Sequence, residues 1–303
     1  MRWIIIYIFL SIVFASKLWA QPEFSREYPD TLNKARLQAT IGVAAGSYLA
    51  GLYYMQYIWY KDHQRVPFHL YNDTKGWLQM DKFAHAFVAY RASYATYHAF
   101  RWSGVEKKKA LLFGGGMGML VLIPIEIFDG LYEGYGFSWG DMVANAFGTA
   151  LFATQAAFFD DQIFLMKFSY SPSRYPNYHD NLGTSHAQRL FMDYNAHTYW
   201  FSGNLKRLTG NEKIPGWLNI AFGYSANGMI KEFENPLYYR NKPFPHFERY
   251  RQFLFSVDID FSRIPSEKKW VRCVLRALNL LKLPFPTLEI NRVEGLKLHP
   301  LYF

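Results

Sequence analysis

The sequence has 303 residues, of which half are apolar and 19% are aromatic, and its formal net charge is +9. Its mean hydropathy is slightly negative, which excludes an ordinary multi-span transporter. A single cysteine excludes an internal disulfide framework, so core packing or a membrane must hold the fold. The positive charge favours anionic surfaces such as lipid phosphates and is equally compatible with a basic soluble protein.

The amino terminus has the pattern of a secretory signal peptide. Arg2 gives a short positive region, residues 3–16 form an apolar run, and Ala20 supplies a small residue at the boundary. We therefore predict a signal peptide over residues 1–20, cleaved after Ala20. An uncleaved membrane anchor is the alternative, although a spanning helix prefers about 20 apolar residues. Because Cys273 is the only cysteine, we expect no lipidation at the amino terminus.

Four apolar segments predict a bundle of helices over residues 21–165. The first segment carries no charge, and Gly42, Gly46 and Gly51 offer it small surfaces for close packing. Pro124 is expected to kink the third segment. The four segments are Ala39–Tyr60, Phe83–Trp102, Ala110–Leu131 and Ser138–Phe159.

Two features argue against a bundle that crosses the inner membrane four times. Arg91 lies at the centre of the second segment, where a charge is costly in hydrocarbon. Residues 107–109 are lysines that would place their loop, and with it the start of the first segment, in the cytoplasm. A cleaved signal peptide puts that start outside. We therefore favour a bundle in the periplasm, or one partly embedded at a membrane face.

The chain after residue 165 changes from helical to strand-like patterns. A polar, proline-marked linker is predicted over residues 166–190, and a β-rich region over 191–303. Alternation from Phe253 to Phe261 predicts a strand with one buried face, which would leave Asp258 and Asp260 on its wet face. With weaker strand patterns nearby, we count about five strands. The predicted fold class is α+β, with about four apolar helices followed by a smaller, mainly antiparallel β region.

One amphipathic helix is predicted within the β-rich region, from Ser266 to Leu283. Lys268, Arg272 and Arg276 lie on one stripe, and apolar side chains form another face. This pattern suits an anionic membrane surface. The alternative is a helix that packs its apolar face on the sheet. The terminal Phe303 is reminiscent of outer-membrane proteins, so we predict a location in the periplasm or at the outer membrane.

Three pairs of polar residues in the helical half carry the strongest chemical signal. Each pair is three or four residues apart and therefore lies on one helix face. If consecutive helices run antiparallel, the start of the second, the end of the third and the start of the fourth meet at one end of the bundle. We predict that these pairs, with one lysine, converge on a single site. The members of this polar cluster are Asp81, Lys82, His85, Glu126, Asp129, Asp141 and Asn145.

The polar cluster has two possible chemical uses. Imidazole and carboxylate ligands hold zinc, manganese or iron, and a bound metal activates water for hydrolysis. Without a metal, Glu126 and His85 could act as a general acid and base. No catalytic residue is assigned, and a divalent metal is the candidate cofactor. Its candidate ligands are His85, Glu126, Asp129 and Asp141.

A purely structural network is the third interpretation of the polar cluster. Lys82 would pair with an acid, Asp81 and Asp141 would cap their helices, and His85 and Asn145 would bridge helices. The presence of Lys82 counts against a metal, because an ammonium repels the ion.

Three stretches resemble the predicted periplasmic lipoproteins grouped as domain of unknown function 2279. They are residues 81–85 (DKFAH), 126–130 (EIFDG) and 137–148 (FSWGDMVANAFG). A looser likeness runs to VanZ-like membrane proteins, and residues 193–200 and 215–224 look like longer members found in Bacteroidota. The resemblance implies an envelope location and no established activity. The missing lipidation cysteine departs from the family pattern.

The sequence therefore predicts an exported cell-envelope protein that is associated with a membrane and carries a structural or ligand-binding polar cluster. The alternative is a metal-dependent or acid–base hydrolase or transferase acting on lipid or cell-wall substrates. Expected partners are membrane lipid or an envelope protein complex, and not nucleic acid. The sequence contains no phosphate loop, nucleotide fingerprint or nucleophile elbow.

Overall fold

A computed structural model describes residues 28–303 of the chain, so the predicted signal peptide lies outside the described residues. The amino-terminal part is helical and the carboxy-terminal part is an antiparallel sheet. The predicted α+β fold class is therefore confirmed.

Four long helical segments account for the four predicted ones. α1 continues as a π-helical segment, Met55–Trp59, and α3 follows a helical turn, Lys107–Lys109, and a second π-helical segment, Ala110–Gly115. Pro124 lies inside α3, which continues past it. The four helices are α1 (Lys34–Tyr54), α2 (Met80–Trp102), α3 (Met117–Asp129) and α4 (Trp139–Phe158).

The second half forms a six-stranded antiparallel sheet in the order β1-β2-β3-β6-β7-β8. A small hairpin of β4 (Tyr238–Tyr239) and β5 (Lys242–Pro243) lies in the connection that leads along the chain from β3 to β6. The large sheet has one strand more than the predicted number, because β1 begins before the predicted linker. Its strands are β1 (Phe164–Tyr170), β2 (His197–Asn204), β3 (Leu218–Asn227), β6 (Tyr250–Ile259), β7 (Phe285–Asn291) and β8 (Gly295–Tyr302).

Three shorter helices accompany the strands. Each lies in the connection between two neighbouring strands of the sheet, and the last is the predicted amphipathic helix, which is shorter at both ends than expected. They are α5 (His186–Met192), α6 (Leu205–Thr209) and α7 (Lys269–Leu278).

The large sheet curls around its polar face. Lys167 of β1 reaches Asp258 of β6, with Nζ and Oδ2 2.7 Å apart, although β2 and β3 lie between them. Three strand spacings in a flat sheet would separate these strands by about 14 Å. Ser202 donates to the same carboxylate at 2.6 Å, and all three side chains are buried. The concave face is therefore a buried polar network.

This curvature overturns the predicted orientation of the strand from Phe253 to Phe261. Asp258 and Asp260 are 1% and 2% exposed, whereas Phe255 is 43% exposed. The predicted alternation of two faces is correct. The prediction that the polar face is exposed to water and the apolar face buried is wrong. The reason is that Lys167 and Ser202 satisfy Asp258 on the concave side, so the polar positions are the buried ones.

α2 joins the helices to the convex, apolar face of the sheet. The ring of Phe83 stacks on Tyr224 with centroids 4.4 Å apart, and the ring centroids of Phe87 and Tyr199 are 5.7 Å apart. Arg91 donates to the backbone carbonyls of Met166 and Asn279. The arginine at the centre of this apolar helix is thus bound by carbonyl oxygens of the sheet region.

Glycines bring α2 into backbone contact with its two helical neighbours. A Cβ atom at Gly148 of α4 would overlap the carbonyl oxygen of Ala86, and one at Gly118 of α3 would overlap that of Ala89. By contrast, a Cβ at Gly42, Gly46 or Gly51 of α1 would meet no atom of residues 28–303 within 4 Å. Within this part of the chain the α1 glycines therefore do not serve close helix packing, and α1 is exposed along most of its length.

Among the described residues, one helical stretch, Lys107–Asp129, is long and apolar enough to cross a membrane. Length and composition alone are weak evidence for a membrane span.

We predict that Gly148→Ala lowers the free energy of unfolding by about 1–3 kcal/mol, because the new methyl group forces α4 away from α2. Gly46→Ala is the matched control, and helix propensity should make it neutral or stabilising by about 1 kcal/mol. Urea unfolding followed by circular dichroism measures both variants. Equal changes in the two variants would contradict the packing role of Gly148.

Candidate functional site

The polar cluster lies where α2 begins, α3 ends and α4 begins. Asp81 stands in the first turn of α2, Glu126 in the last turn of α3 and Asp141 in the first turn of α4. Ser138 caps α4 by accepting a hydrogen bond from the Asp141 amide at 3.1 Å. The structure therefore brings the predicted helix ends together.

A left-handed turn leads the chain into α2. Trp77, Leu78 and Gln79 have positive φ angles of 47°, 49° and 68°. Such conformations cost of order 1 kcal/mol or more for each non-glycine residue. Hydrogen bonds hold the turn in place, with the Trp77 amide donating to the Glu232 carbonyl at 2.8 Å and the Tyr224 hydroxyl to the Leu78 carbonyl at 2.5 Å. Strain of this kind is typical of functional sites.

Lys82 is the cation at the centre of the polar cluster. Its Nζ lies 2.7 Å from Asp73 Oδ2, 2.7 Å from Asp141 Oδ1 and 3.2 Å from Asp81 Oδ2. Ser138 Oγ holds the other oxygen of Asp73 at 2.6 Å. Three carboxylates therefore share one ammonium group.

His85 is oriented by α4. Its Nδ1 lies 3.0 Å from Asn145 Oδ1, so we infer that Nδ1 carries the proton and donates it to the amide oxygen. Its Nε2 then presents a lone pair, which faces the gap between Asp81 Oδ1 and Asp141 Oδ1, each 3.9 Å away. The His85 side chain is 14% exposed, so water reaches the ring.

Two fully buried side chains beside His85 have polar atoms that lack partners among the described residues. Glu126 Oε2 accepts from the Ser138 amide at 3.3 Å, but its Oε1, which lies 3.5 Å from His85 Nδ1, accepts no hydrogen bond. Asn145 Nδ2 donates none. A buried polar atom without a partner costs about 1–3 kcal/mol, so a water or ligand is expected there.

The acids of the polar cluster outnumber its cations. Burial and the neighbouring Asp129 raise the pKa of Glu126 to about 8, and burial also raises the pKa of Asp129 to about 7. Burial and Asp81 raise the pKa of Asp141. At Asp81 burial favours a higher pKa, but the neighbouring His85 and Lys82 outweigh burial and lower the pKa to about 2. Burial therefore favours the protonated form of Glu126, Asp129 and Asp141.

The polar cluster lies in the part of the chain that matches a known protein family. Residues 70–157 match the family described as predicted periplasmic lipoprotein (DUF2279). The predicted resemblance to DUF2279 is therefore confirmed for this segment, which is less than a third of the chain. The DUF2279 segment runs from the loop before α2 to the end of α4 and contains every predicted member of the cluster.

The DUF2279 description supports a periplasmic or envelope location and agrees with an exported envelope protein. No curated protein and no solved structure matches the chain. The likeness to VanZ-like proteins and to Bacteroidota members remains a prediction. The only cysteine, Cys273, is exposed on α7, outside the DUF2279 segment.

The sequence analysis missed three contributors to the polar cluster. Asp73 precedes α2 in a loop, where no helical spacing marks it. The Tyr60 hydroxyl donates to Asp129, and the Tyr194 hydroxyl donates to Asp81 Oδ1 at 2.5 Å. Tyr194 belongs to the stretch 193–200 that resembles longer family members, and this was the one available signal for it.

The structure also changes the set of candidate metal ligands. Atoms of Asp81, His85 and Asp141 lie within 4.8 Å of one another. Glu126 lies on the Nδ1 side of His85, and Asp129 is bound by Tyr60, so neither belongs to this group. The geometry thus favours Asp81 over the two acids of α3.

We predict that Glu126→Gln flattens the pH dependence of stability in a chelator-containing buffer. Since the folded-state pKa of Glu126 is raised from 4.5 to about 8, the folded chain holds a proton that the unfolded chain has released in this window. The free energy of unfolding should therefore fall as pH rises from about 5 to about 8, and less so in the variant. Urea unfolding at several pH values measures the slope.

Glu133→Gln, at an exposed position just after α3, is the control for this prediction. It should keep the slope of the unsubstituted chain. Identical slopes for Glu126→Gln and the unsubstituted chain would show that Glu126 is not protonated in the fold.

Proposed function

We propose that the chain is an exported, membrane-associated envelope protein whose polar cluster binds a divalent cation through Asp81, His85 and Asp141. The observation that carries the proposal is the grouping of one imidazole and two carboxylates within 4.8 Å of one another. Cleavage after Ala20 and a place in the periplasm or at the outer membrane belong to the same proposal.

The donor atoms stand slightly wider apart than the ligands of a bound first-row metal. His85 Nε2 lies 3.9 Å from a carboxylate oxygen of each aspartate. Tetrahedral ligands with zinc bond lengths of about 2.0–2.1 Å stand about 3.3 Å apart, so the three side chains would close around the ion by about half an ångström. The Nδ1 hydrogen bond to Asn145 fixes the ring, as the outer partner of a metal-binding histidine commonly does.

The charge of the site favours a cation. Lys82 is the ammonium group within ion-pair distance of these carboxylates, and five acids surround it and His85. Protons neutralise part of this charge in the metal-free chain, and a divalent ion would replace them. The five acids are Asp73, Asp81, Glu126, Asp129 and Asp141.

Lys82 would compete with the ion for Asp141 Oδ1, to which its Nζ is bound at 2.7 Å. The ammonium has a second strong partner in Asp73 Oδ2, also at 2.7 Å. A bound cation would leave Lys82 on Asp73. The ammonium should weaken cation binding without preventing it, and this sets the proposal apart from a purely structural network.

An acid–base hydrolase or transferase acting on lipid or cell-wall material is the second candidate. Glu126 Oε1 lies 3.5 Å from His85 Nδ1, and burial and the neighbouring Asp129 raise the pKa of Glu126 to about 8. Such a group exchanges protons near neutral pH, where general acid–base catalysis is most efficient. If this candidate holds, Glu126→Gln would abolish hydrolysis while leaving cation binding intact.

We predict saturable binding of one Mn²⁺ or Zn²⁺ ion by the purified chain in isothermal titration calorimetry. His85→Ala and Asp141→Asn should each weaken binding at least tenfold, which is about 1.4 kcal/mol. Lys82→Met should tighten binding by a similar factor, because it removes the competing ammonium.

Asp62→Asn and His63→Ala provide matched controls, since both residues are exposed in the loop after α1. Neither should change cation affinity. If the unsubstituted chain binds no ion, and Lys82→Met only lowers the melting temperature with no rescue by Mn²⁺, the polar cluster is a structural network and the proposal fails.

A further inference from the structure

The convex face of the large sheet is apolar and only partly covered. α2 covers it over β1, β2 and β3, where Phe83 and Phe87 lie on Phe168, Tyr199 and Tyr224. Beyond Tyr224 the same face continues without cover. Its uncovered side chains are 39–71% exposed and comprise Ile220, Phe222, Phe253, Phe255, Val257, Ile290, Leu296 and Leu298.

Strand register joins these side chains into one surface, which we call the lipid face. Phe222 lies opposite Phe255, and their ring centroids are 5.1 Å apart. Phe253 lies opposite Ile290, which lies opposite Leu296. The lipid face therefore crosses four neighbouring strands, and contiguous apolar surface of this kind marks an interaction site.

The lipid face has basic residues at one end of its strands. Along β6 its apolar positions extend from Phe253 to Val257, which is about 14 Å. Arg251 precedes them on the same face by strand alternation, and Arg292 lies in the turn after β7 at the same end of the sheet. Both are exposed while bonded to Gln79 and Glu248, and both can reach lipid phosphates.

α7 adds a second membrane-directed feature. No residue of this helix is buried, and Trp270 and Val274 are 66% and 48% exposed. Lys269 and Arg272 lie on the same helix, a combination typical of interfacial helices. Trp270 and Val274 are therefore open to contact with lipid, whereas Val271 and Leu278 of the same helix are half-buried.

A second copy of the chain is a poorer occupant than a bilayer. Large apolar side chains are also exposed on the helices, including Val43 (70%) and Leu49 (64%) of α1 and Leu120 (56%) of α3. One contact between two copies would cover a single patch. A bilayer is continuous, and its anionic phosphates complement a chain whose net charge is +9, or +7 once Arg2 and Lys17 are removed with the predicted signal peptide.

We propose that the lipid face and α7 seat the chain in one leaflet of an anionic phospholipid membrane. The concave polar face and the polar cluster stay outside the hydrocarbon. This inference concerns a surface other than the cation site and does not depend on it.

Flotation with vesicles of phosphatidylglycerol and phosphatidylethanolamine tests the proposal, using the chain as processed by the exporting cell. Phe255→Glu, at the centre of the lipid face, should reduce the vesicle-bound to free ratio at least tenfold. Leu237→Glu, at an 81% exposed position before β4, is the matched control and should float like the unsubstituted chain. Circular dichroism and melting temperature establish that both variants fold.

A probe experiment covers the case in which Phe255→Glu does not fold. In a Cys273→Ser background, Phe255→Cys and Leu237→Cys each carry one nitrobenzoxadiazole label. Doxyl-labelled lipid should quench the label at position 255 and not at 237. Equal flotation of Phe255→Glu and the unsubstituted chain, no quenching at 255, or dimers in solution without vesicle binding would each overturn the proposal.

Discussion

Backbone contact between α2 and α4 sets the geometry on which the rest of the structure depends. Gly148 lies against the carbonyl of Ala86, and this contact brings His85 of α2 opposite Asn145 of α4. The hydrogen bond between His85 and Asn145 orients the imidazole. The opposite side of α2 carries Phe83 and Phe87 to the sheet. One helix thus positions both the polar cluster and the apolar face.

The helices and most of the polar cluster were predictable from the sequence because both follow helical periodicity. Asp81 and His85 are one turn apart, and uninterrupted apolar runs mark the helices. Asp73 and Tyr194 were not predictable, since they reach the cluster from segments with no periodic relation to it. The sheet shows a different limit. Alternation identifies residues that share a face, but it does not tell which face turns away from water.

The large sheet and the polar cluster share one physical constraint, which is that buried charged groups need close partners. The fold buries polar groups such as Lys167 and Asp258 and leaves large apolar groups exposed. Burial of an ion pair is acceptable when each charge has close partners, and removal of one partner leaves a costly isolated charge. The polar network therefore restricts the chain to one curvature of the sheet. That curvature turns the aromatic side of β6 outward.

The hydrogen bond from Tyr194 to Asp81 has a consequence for how this chain is divided into modules. The family match ends at residue 157, yet Tyr194 leads directly into β2. Met80, which is fully buried, packs against Tyr199 and Tyr224 of the sheet. Excision of the matched segment would strip Met80 of its cover and Asp81 of a donor. The sheet thus supplies part of the core around the start of the matched segment and one hydrogen bond to its polar cluster.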